Sequence, residues 1–218
     1  MGSSKKIRYM ALALLVLFSN LYLQSAFAHN EAKTKFLLIM GPSGTGKSTI
    51  INYLKKMDAK FCYITPLTTR QLRPNETDKI SVSKEEMNSR EKCGDLLVVN
   101  EIYGILYGTP KYIIDKALVQ HKYPVLDWPI DKISVMENAY GNSLFRVYIQ
   151  PEDETELSAR LSNDDRDTNG KRLTSGKIEL SKLAVGEYDQ HIDLKLVNKK
   201  DAALDTAKII YAEYLKSL

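Results

Sequence analysis

Short apolar runs alternate with amphipathic segments along most of the chain. An unbroken apolar run of about four to eight residues is typical of a buried parallel strand, because helices cover both faces of such a strand. Runs that are wholly or mostly apolar predict strands at 35–40, 61–64, 96–99, 123–127 and 144–149, and a further strand is predicted at 193–197. The segments between them predict helices at about 47–57, from 83, at 109–121, 131–140, 152–161, 172–186 and from 202. This alternation predicts an α/β fold, a parallel sheet flanked by helices on both faces.

Two segments interrupt the alternation, one at 65–108 and one at 162–171. The first opens on a polar, basic stretch, and the second is rich in Asp and Asn. Insertions of this kind in an α/β domain often form moving parts around a substrate. We therefore expect an inserted lobe at 65–108 and a short lid at 162–171.

Two helix starts carry local signals. Ser83 is followed three residues later by Glu86, which is the pattern of a capping box. Thr109 and Pro110 match a helix cap followed by proline at the first helical position. We expect helices to begin at both places.

The first 28 residues have the pattern of an export signal. Three cations within residues 5–8 precede an apolar run at 10–18, and residues 26–28 (AFA) present small side chains where a signal peptidase cleaves. The run is short for a membrane span, which favours a cleaved signal over an uncleaved membrane anchor. In both cases the domain at 29–218 is delivered outside the cytoplasm, to the periplasm or the medium. A wrongly assigned start codon would instead leave the protein cytoplasmic.

Composition limits the class of protein. The 218 residues are 44% hydrophobic and 27% charged, which suits one globular α/β domain with a sizeable core. The net charge of +4 comes mostly from the leader, so it argues against a nucleic-acid partner. Cys62 and Cys93 lack the spacing of a zinc site, and two unpaired thiols near or in the core are favoured over a disulfide.

The most specific motif lies directly after the first predicted strand. Residues 41–48 read GPSGTGKS, which satisfies the phosphate-loop pattern G-x-x-x-x-G-K-[ST] between a buried strand and a helix. Glycines let backbone N–H groups converge on phosphate oxygens, and the helix start adds a favourable dipole. Lys47 is expected to reach the β- and γ-phosphates of ATP, and Ser48 to ligate Mg²⁺. The predicted ATP-binding residues are Gly41, Ser43, Gly44, Thr45, Gly46, Lys47, Ser48 and Thr49.

A phosphate loop alone does not separate kinases from GTPases and motor ATPases. The base-reading string of GTPases, N-K-x-D, has a counterpart in the letters at 198–201, but these follow the last predicted strand. The domain is also small for a motor ATPase. A small kinase fits best, although an exported enzyme would meet little ATP, and the sequence leaves that conflict open.

From Phe36 onward the chain resembles the guanylate kinase family. Five strings carry the resemblance, in family order and at near-family spacing: the phosphate loop through Thr49, TTR at 68–70 with Arg73-Pro74, YGT at 107–109, LD at 126–127 and KRL at 171–173. In that family an inserted lobe binds the acceptor nucleoside monophosphate. The resemblance implies a P-loop NTPase-type fold whose lobe at 65–108 has this role.

The resemblance also assigns roles around the acceptor phosphate. Arg70 and Arg73 would clamp it, since guanidinium groups offer bidentate donors and stay charged. Tyr107 would donate its hydroxyl to the same phosphate. Lys79 stands where the family has a second phosphate-contacting tyrosine, which retains phosphate affinity with altered geometry.

Further roles concern the transferring phosphoryl group. Asp127, at the end of a buried strand, would lie near Mg²⁺. Arg160, Arg166 and Arg172 would come from the lid and its flanking helices to neutralise charge, with Lys47 in the phosphate loop. Such transfer depends on positioning and electrostatics more than on a general base.

The base-reading positions depart from the family pattern. Pro66, Val98 and Pro129 occupy positions where a guanine-specific site carries Ser, Glu and Asp, and none of them offers a side-chain hydrogen bond. Glu101 lies three residues past Val98, where strand pleating would aim it at the other face. Weakened guanine selectivity is therefore expected, beside an intact phosphate clamp.

Three functions remain open on the sequence. The first is an ATP- and Mg²⁺-dependent kinase for a nucleoside monophosphate, with GMP implied by the family. The second is a kinase for a phosphorylated sugar such as ribose 1,5-bisphosphate. The third is a non-catalytic guanylate-kinase-like binding module, which the presence of Lys47, Arg70 and Asp127 disfavours.

Overall fold

A computed structural model describes residues 34–74, 76–162 and 170–218. Residues 34–218 form one compact unit. The predicted leader at 1–28, Arg166 and most of the predicted lid lie outside the described residues. Within the described ranges, no helix has both the length and the apolar character needed to cross a membrane.

The described strands are numbered in chain order. They are β1 (Phe36–Met40), β2 (Phe61–Tyr63), β3 (Leu67–Thr68), β4 (Ile80–Ser81), β5 (Leu96–Ile102), β6 (Ile105–Pro110), β7 (Tyr123–Asp127), β8 (Leu144–Gln150) and β9 (Leu194–Val197). Five of them form an all-parallel sheet in the order β2-β7-β1-β8-β9. The predicted parallel sheet is confirmed, and each of its five strands lies in a segment that the sequence predicts to be a strand.

The described α-helices are likewise numbered in chain order. They are α1 (Lys47–Met57), α2 (Lys84–Lys92), α3 (Lys111–Val119), α4 (Ile133–Tyr140), α5 (Glu154–Ser162), α6 (Lys171–Ala184) and α7 (Ala203–Ser217). Alternate residues of β1 serve the two faces of the sheet, as strand geometry requires. Leu37 and Ile39 pack in one cluster with α1 and α7, whereas Leu38 and Met40 pack in a second with α3 and α4.

The inserted lobe has a sheet of its own, in the order β4-β3-β6-β5. The antiparallel hairpin of β5 and β6 forms most of it, and α2 covers it through the buried Met87. The sequence predicts irregular structure for 65–82, but β3 and β4 lie there. Each has only two residues, so neither produces a recognisable apolar run.

One helix start differs from the prediction. The pairing of β6 with β5 continues to Pro110, so Thr109 lies buried in the strand and does not cap α3. Pro110 itself occupies the cap position with an extended backbone, and the helix begins at Lys111. Strand pairing with the neighbouring hairpin strand overrides the local capping signal here.

The other local signal is confirmed. The Ser83 hydroxyl accepts a hydrogen bond from the Glu86 backbone N–H at 3.1 Å, which caps α2. Cys62 and Cys93 are both free, as favoured. Cys62 is half-buried, but Cys93 is exposed because it lies at the end of α2, so its predicted place near the core is wrong.

Candidate active site

The phosphate loop joins the central strand β1 to α1. Gly46 precedes the helix with a φ of 87°, and a Cβ at this position would lie 2.6 Å from the Asn198 side-chain nitrogen. Gly41 has a φ of 129°, and a Cβ there would lie 2.0 Å from the carbonyl oxygen of Ile149. Both positions therefore need glycine for conformation and for space. The loop curls where the carboxyl ends of β1 and β8 meet, the edge at which open α/β sheets bind ligands.

Lys47 is the best-positioned cation of this loop. Its ammonium group donates to the carbonyl oxygens of Gly41 at 2.7 Å and Pro42 at 2.9 Å. It also lies 3.8 Å from the Asp127 carboxylate, because β1 and β7 are neighbours and Ile39 pairs with Asp127. The Lys47 side chain is 11% exposed. This arrangement holds a largely buried cation at the edge where phosphates would bind.

The first turn of α1 contains Ser48 and Thr49, both exposed. The Ser48 hydroxyl and the Asp127 carboxylate are hard oxygen ligands of the type that Mg²⁺ prefers. Asp127 is 37% exposed and lies at the same sheet edge as the phosphate loop. This donor chemistry fits a magnesium ion held jointly with nucleotide phosphates.

Two predicted arginines contact the phosphate loop. Arg172, near the start of α6, donates to the Ser43 hydroxyl at 3.0 Å. Arg160, in α5, donates to the Gly44 carbonyl at 3.3 Å and pairs with Glu156. The structure therefore brings both arginines to the loop that is predicted to hold ATP.

Asn198 braces the phosphate loop, a role that its sequence context does not indicate. Its side-chain amide donates to the Thr45 carbonyl at 2.8 Å and accepts from the Thr206 hydroxyl at 3.0 Å. Arg160 donates to its backbone carbonyl at 3.0 Å. Asn198 is 2% exposed, so this link from α7 to the phosphate loop is fully buried. The letters at 198–201 were visible in the sequence, but only the fold reveals what Asn198 contacts.

The predicted acceptor-phosphate residues lie together in the lobe. The Arg70 guanidinium makes a bidentate pair with Glu76, with N···O distances of 2.7 and 2.5 Å. Lys79 lies 3.6 Å from the same carboxylate. Glu76 raises the pKa of Arg70, and the Tyr107 hydroxyl adds to that effect. Arg73 contributes its backbone N–H to Glu76 at 3.0 Å, and its side chain is exposed.

Glu76 organises this cluster and was not predicted. Its side chain is 8% exposed, and the hydrogen bond from Arg70 is the main reason that its pKa falls to about 2. A carboxylate between three cations is the signal that could have identified it in the sequence. The pair fixes the Arg70 guanidinium in one orientation.

A cleft connects the lobe to the phosphate loop. Tyr63, at the end of β2, lies between the two: burial raises its pKa, and the negative charges of Asp127, Asp78 and Glu76 raise it further. A cavity of about 540 Å³ is lined by Tyr63, Glu76 and Asp78 and also by Ser48 of α1. The acceptor cluster and the start of α1 therefore share one open space.

The three unusual base-reading positions are apolar in the structure as well. Val98 is half-buried in β5 and packs against the core cluster that contains Trp128. Pro66 and Pro129 are half-buried, before β3 and after β7. Glu101 is exposed. The Thr109 hydroxyl, 7% exposed in β6, was missed as a polar group in this part of the lobe because the sequence suggested a helix cap.

A buried carboxylate also lies behind the loop. Tyr148 of β8 donates its hydroxyl to Glu179 of α6 at 2.7 Å. Burial raises the pKa of Glu179, while the hydrogen bond from Tyr148 and the charge of Lys47 act in the opposite direction. Glu179 therefore belongs to the electrostatic environment of Lys47, which the sequence did not indicate.

Comparison with known proteins identifies the family. The guanylate kinase family model matches residues 33–211. The guanylate kinase of Helicobacter pylori (strain ATCC 700392 / 26695) is 30% identical over 188 residues, which cover 84% of this chain and 89% of the relative. That of Ruegeria sp. (strain TM1040) is 29% identical over 200 residues, covering 88% and 90%.

A solved structure agrees at the level of the fold. The crystal structure of guanylate kinase from Anaplasma phagocytophilum superposes with a TM-score of 0.66 at 19% identity, covering 84% of this chain and 85% of that one. It has the same arrangement of a helix-flanked parallel sheet. The family-model match extends from before β1 into α7 and includes the phosphate loop and the acceptor lobe. The chain belongs to the guanylate kinase family.

Proposed function

We propose that this protein transfers the γ-phosphoryl group of ATP to a nucleoside monophosphate, and that GMP is its preferred acceptor. Guanylate kinases are phosphotransferases, and membership of the family makes this chain one. The choice of GMP rests on the family, and the relatives give no support to a phosphorylated-sugar acceptor. The observation that carries the proposal is the presence of two separate cationic clusters, one around Lys47 and one around Arg70, whose neighbours Ser48 and Glu76 line the same cavity.

The ATP side of the reaction uses the phosphate loop. Lys47 would exchange the carbonyl oxygens of Gly41 and Pro42 for oxygens of the β- and γ-phosphates, from a position that it already occupies. Arg172 would neutralise charge that develops on the transferring group, because its guanidinium already lies against Ser43. Ser48 and Asp127 would hold Mg²⁺, which neutralises phosphate charge when bound.

The acceptor side uses the lobe. Arg70, held by Glu76, would present a fixed guanidinium to the acceptor phosphate, with Lys79 and Tyr107 beside it. An oxygen of that phosphate attacks the γ-phosphorus of ATP, the bond to the β-phosphate oxygen breaks, and ADP leaves. Positioning the two phosphates in line supplies most of the acceleration, since no covalent intermediate is needed.

We expect weak selectivity for the acceptor's base, although the residues that would bind its phosphate are present. Pro66, Val98 and Pro129 leave no side-chain hydrogen bonds for a guanine edge at these positions. A site that reads a base by hydrogen bonds can discriminate by factors of about 10⁴, whereas shape and apolar contact give factors of about 10 to 200. GMP would therefore be preferred over AMP by the smaller factor.

An acceptor panel tests the proposal. The full chain is incubated with ATP and Mg²⁺, and ADP release is measured with GMP, dGMP, AMP, CMP and UMP in turn. We expect acceptor-dependent ADP release with kcat/KM highest for GMP, by roughly 10- to 200-fold over AMP. No acceptor-dependent release with any nucleoside monophosphate would contradict the proposed activity. Discrimination of about 10⁴ would keep the activity but contradict the weakened base reading.

A further inference from the structure

Tyr103, a residue of the acceptor lobe, contacts Arg172 but belongs to neither of the two phosphate sites. Tyr103 lies at the tip of the hairpin formed by β5 and β6, between the paired residues Ile102 and Ile105. The Arg172 guanidinium lies over its ring, with the central carbon 5.5 Å from the ring centroid. This separation is within the roughly 6 Å over which a cation–π contact is attractive.

The backbone at Tyr103 is unusual. Its φ is 53° and that of Gly104 is 80°, so both central residues of the two-residue turn have a left-handed backbone. Turns of this kind favour Asn-Gly, Asp-Gly or Gly-Gly, and tyrosine in the first position is strained. Strain of this kind persists where the surrounding structure demands it, and it often marks a functional residue. A tyrosine here is therefore better explained by what its ring contacts than by the needs of the turn.

The position of Arg172 is electrostatically unfavourable. It lies in the first turn of α6, where the partial positive charge of the helix end disfavours a cation. The first turn of α6 has no acidic residue. Arg172 donates to the Ser43 hydroxyl at 3.0 Å and lies over the Tyr103 ring. Arg172 thus links the phosphate loop to the lobe.

We propose that Tyr103 is a positioning residue, which holds the Arg172 guanidinium against the phosphate loop through its ring face. This inference rests on the proposed function, because it treats Arg172 as the group that neutralises the transferring phosphoryl charge. Tyr103 is not one of the residues assigned to either phosphate site. Its contact couples the placement of the lobe to the placement of the arginine, so that Arg172 is preorganised when the acceptor is in the lobe.

Two substitutions separate this role from a structural one. Tyr103→Phe keeps the ring face, and Tyr103→Asn removes it while supplying the residue that the turn prefers. In Tyr103→Asn we expect kcat for GMP phosphorylation to fall roughly two- to fivefold, as the loss of an exposed cation–π contact implies. The KM values for ATP and GMP should stay within about twofold, and the thermal midpoint should equal or exceed that of the parent. Tyr103→Phe should retain the parental kcat.

A matched control uses Tyr112, which is 54% exposed on α3. Tyr112→Asn should leave kcat unchanged. A kcat for Tyr103→Asn equal to that of the parent overturns the inference, and so does a fall in kcat that Tyr103→Phe shares. A lowered thermal midpoint for Tyr103→Asn that accounts for the lost activity also overturns it, because it would assign Tyr103 a merely structural role.

A second measurement does not depend on catalysis. Free energies of unfolding are compared for the full chain, Tyr103→Asn, Arg172→Met and the double variant. Non-additive effects are expected, because the two side chains touch, and additive effects overturn the inference. If the parent transfers no phosphoryl group to GMP, the proposed function fails, and this cycle alone then decides whether Tyr103 holds Arg172.

Discussion

Glu76 accepts two hydrogen bonds from the Arg70 guanidinium, at 2.7 and 2.5 Å, and its side chain is only 8% exposed. Lys79 and the backbone N–H of Arg73 approach the same carboxylate. The lobe therefore builds its cationic site around one anion. Glu76 keeps Arg70 oriented and offsets part of the repulsion between Arg70 and Lys79.

The Arg70–Glu76 pair is expected to make the folded protein less stable as the pH falls into the acid range. The pKa of Glu76 is lowered from 4.5 to about 2, chiefly by Arg70. A carboxyl whose folded pKa is depressed contributes stability above its unfolded pKa, and this contribution disappears as the pH falls from about 4.5 to about 2. Glu76→Gln should cost about 1–2 kcal/mol at pH 7, after allowance for screening by solvent. It should also flatten the acid limb of stability against pH.

Urea unfolding between pH 7 and pH 3 measures this effect. Glu91→Gln is the matched control, since Glu91 is an exposed residue of α2. Its unfolding free energy should stay within about 0.5 kcal/mol of that of the parent. An acid limb in Glu76→Gln as steep as that of the parent would show that the Arg70–Glu76 pair contributes no pH-dependent stability.

Replacing Lys47 is expected to slow phosphoryl transfer strongly. Lys47→Ala removes the cation that lies 2.7 Å from the Gly41 carbonyl and 3.8 Å from Asp127. The loss of one preorganised charge contact to the transferring group typically costs roughly 10²- to 10³-fold in kcat. Steady-state ADP release with GMP measures it. Lys56→Ala, an exposed change on the same helix, should retain the parental rate, and a Lys47→Ala rate within about tenfold of the parent would contradict the assignment.

Replacing Asp127 is expected to raise the Mg²⁺ concentration that the reaction needs. Asp127→Asn removes the negative charge at the end of β7 while keeping the shape of the side chain. Because Mg²⁺ prefers carboxylate oxygens, the Mg²⁺ concentration that gives half-maximal rate should rise by roughly tenfold. A magnesium titration at saturating ATP and GMP checks this. Asp115→Asn, an exposed change on α3, should leave the titration unchanged; an unchanged titration in Asp127→Asn would remove Asp127 from the metal site.

Replacing Asn198 is expected to lower stability and to weaken ATP binding. Asn198→Ala would leave the buried Thr45 carbonyl and the Thr206 hydroxyl without their partner. An unsatisfied buried polar group costs about 1–3 kcal/mol, so the free energy of unfolding should fall by that amount. The KM for ATP should rise as well, because Thr45 lies within the phosphate loop. Asn142→Ala, at an exposed position, should change neither quantity; full parental stability in Asn198→Ala would mean that the brace contributes nothing.

The central sheet and the phosphate loop could be predicted because their signals are local. Each of its strands lies in a segment predicted to be a strand, and α1 begins and ends at the predicted residues, 47 and 57. The predicted leader and most of the predicted lid fall outside the described residues, and both remain predictions. The lobe could not be predicted in detail, because β3 and β4 are held by pairing with distant strands and not by their own two residues.

The contacts that complete the site could not be predicted, because they join residues far apart in the sequence. Asn198 reaches Thr45 across 153 positions, and Arg172 reaches Ser43 across 129. The Tyr103 contact depends on a turn whose strain the sequence does not display. At Thr109 a local signal gave a wrong prediction. The sequence there predicts a helix cap, but the pairing of β6 with β5 places Thr109 in a strand.

The most direct test of the account is the fate of the γ-phosphoryl group. The full chain is incubated with γ-labelled ATP, GMP and Mg²⁺, and the nucleotides are separated and counted. Transfer to GMP predicts labelled GDP and unlabelled ADP in equal amounts, with both formed roughly 10²- to 10³-fold more slowly by Lys47→Ala. Label released only as inorganic phosphate, or retained in ATP whatever the acceptor, would contradict it.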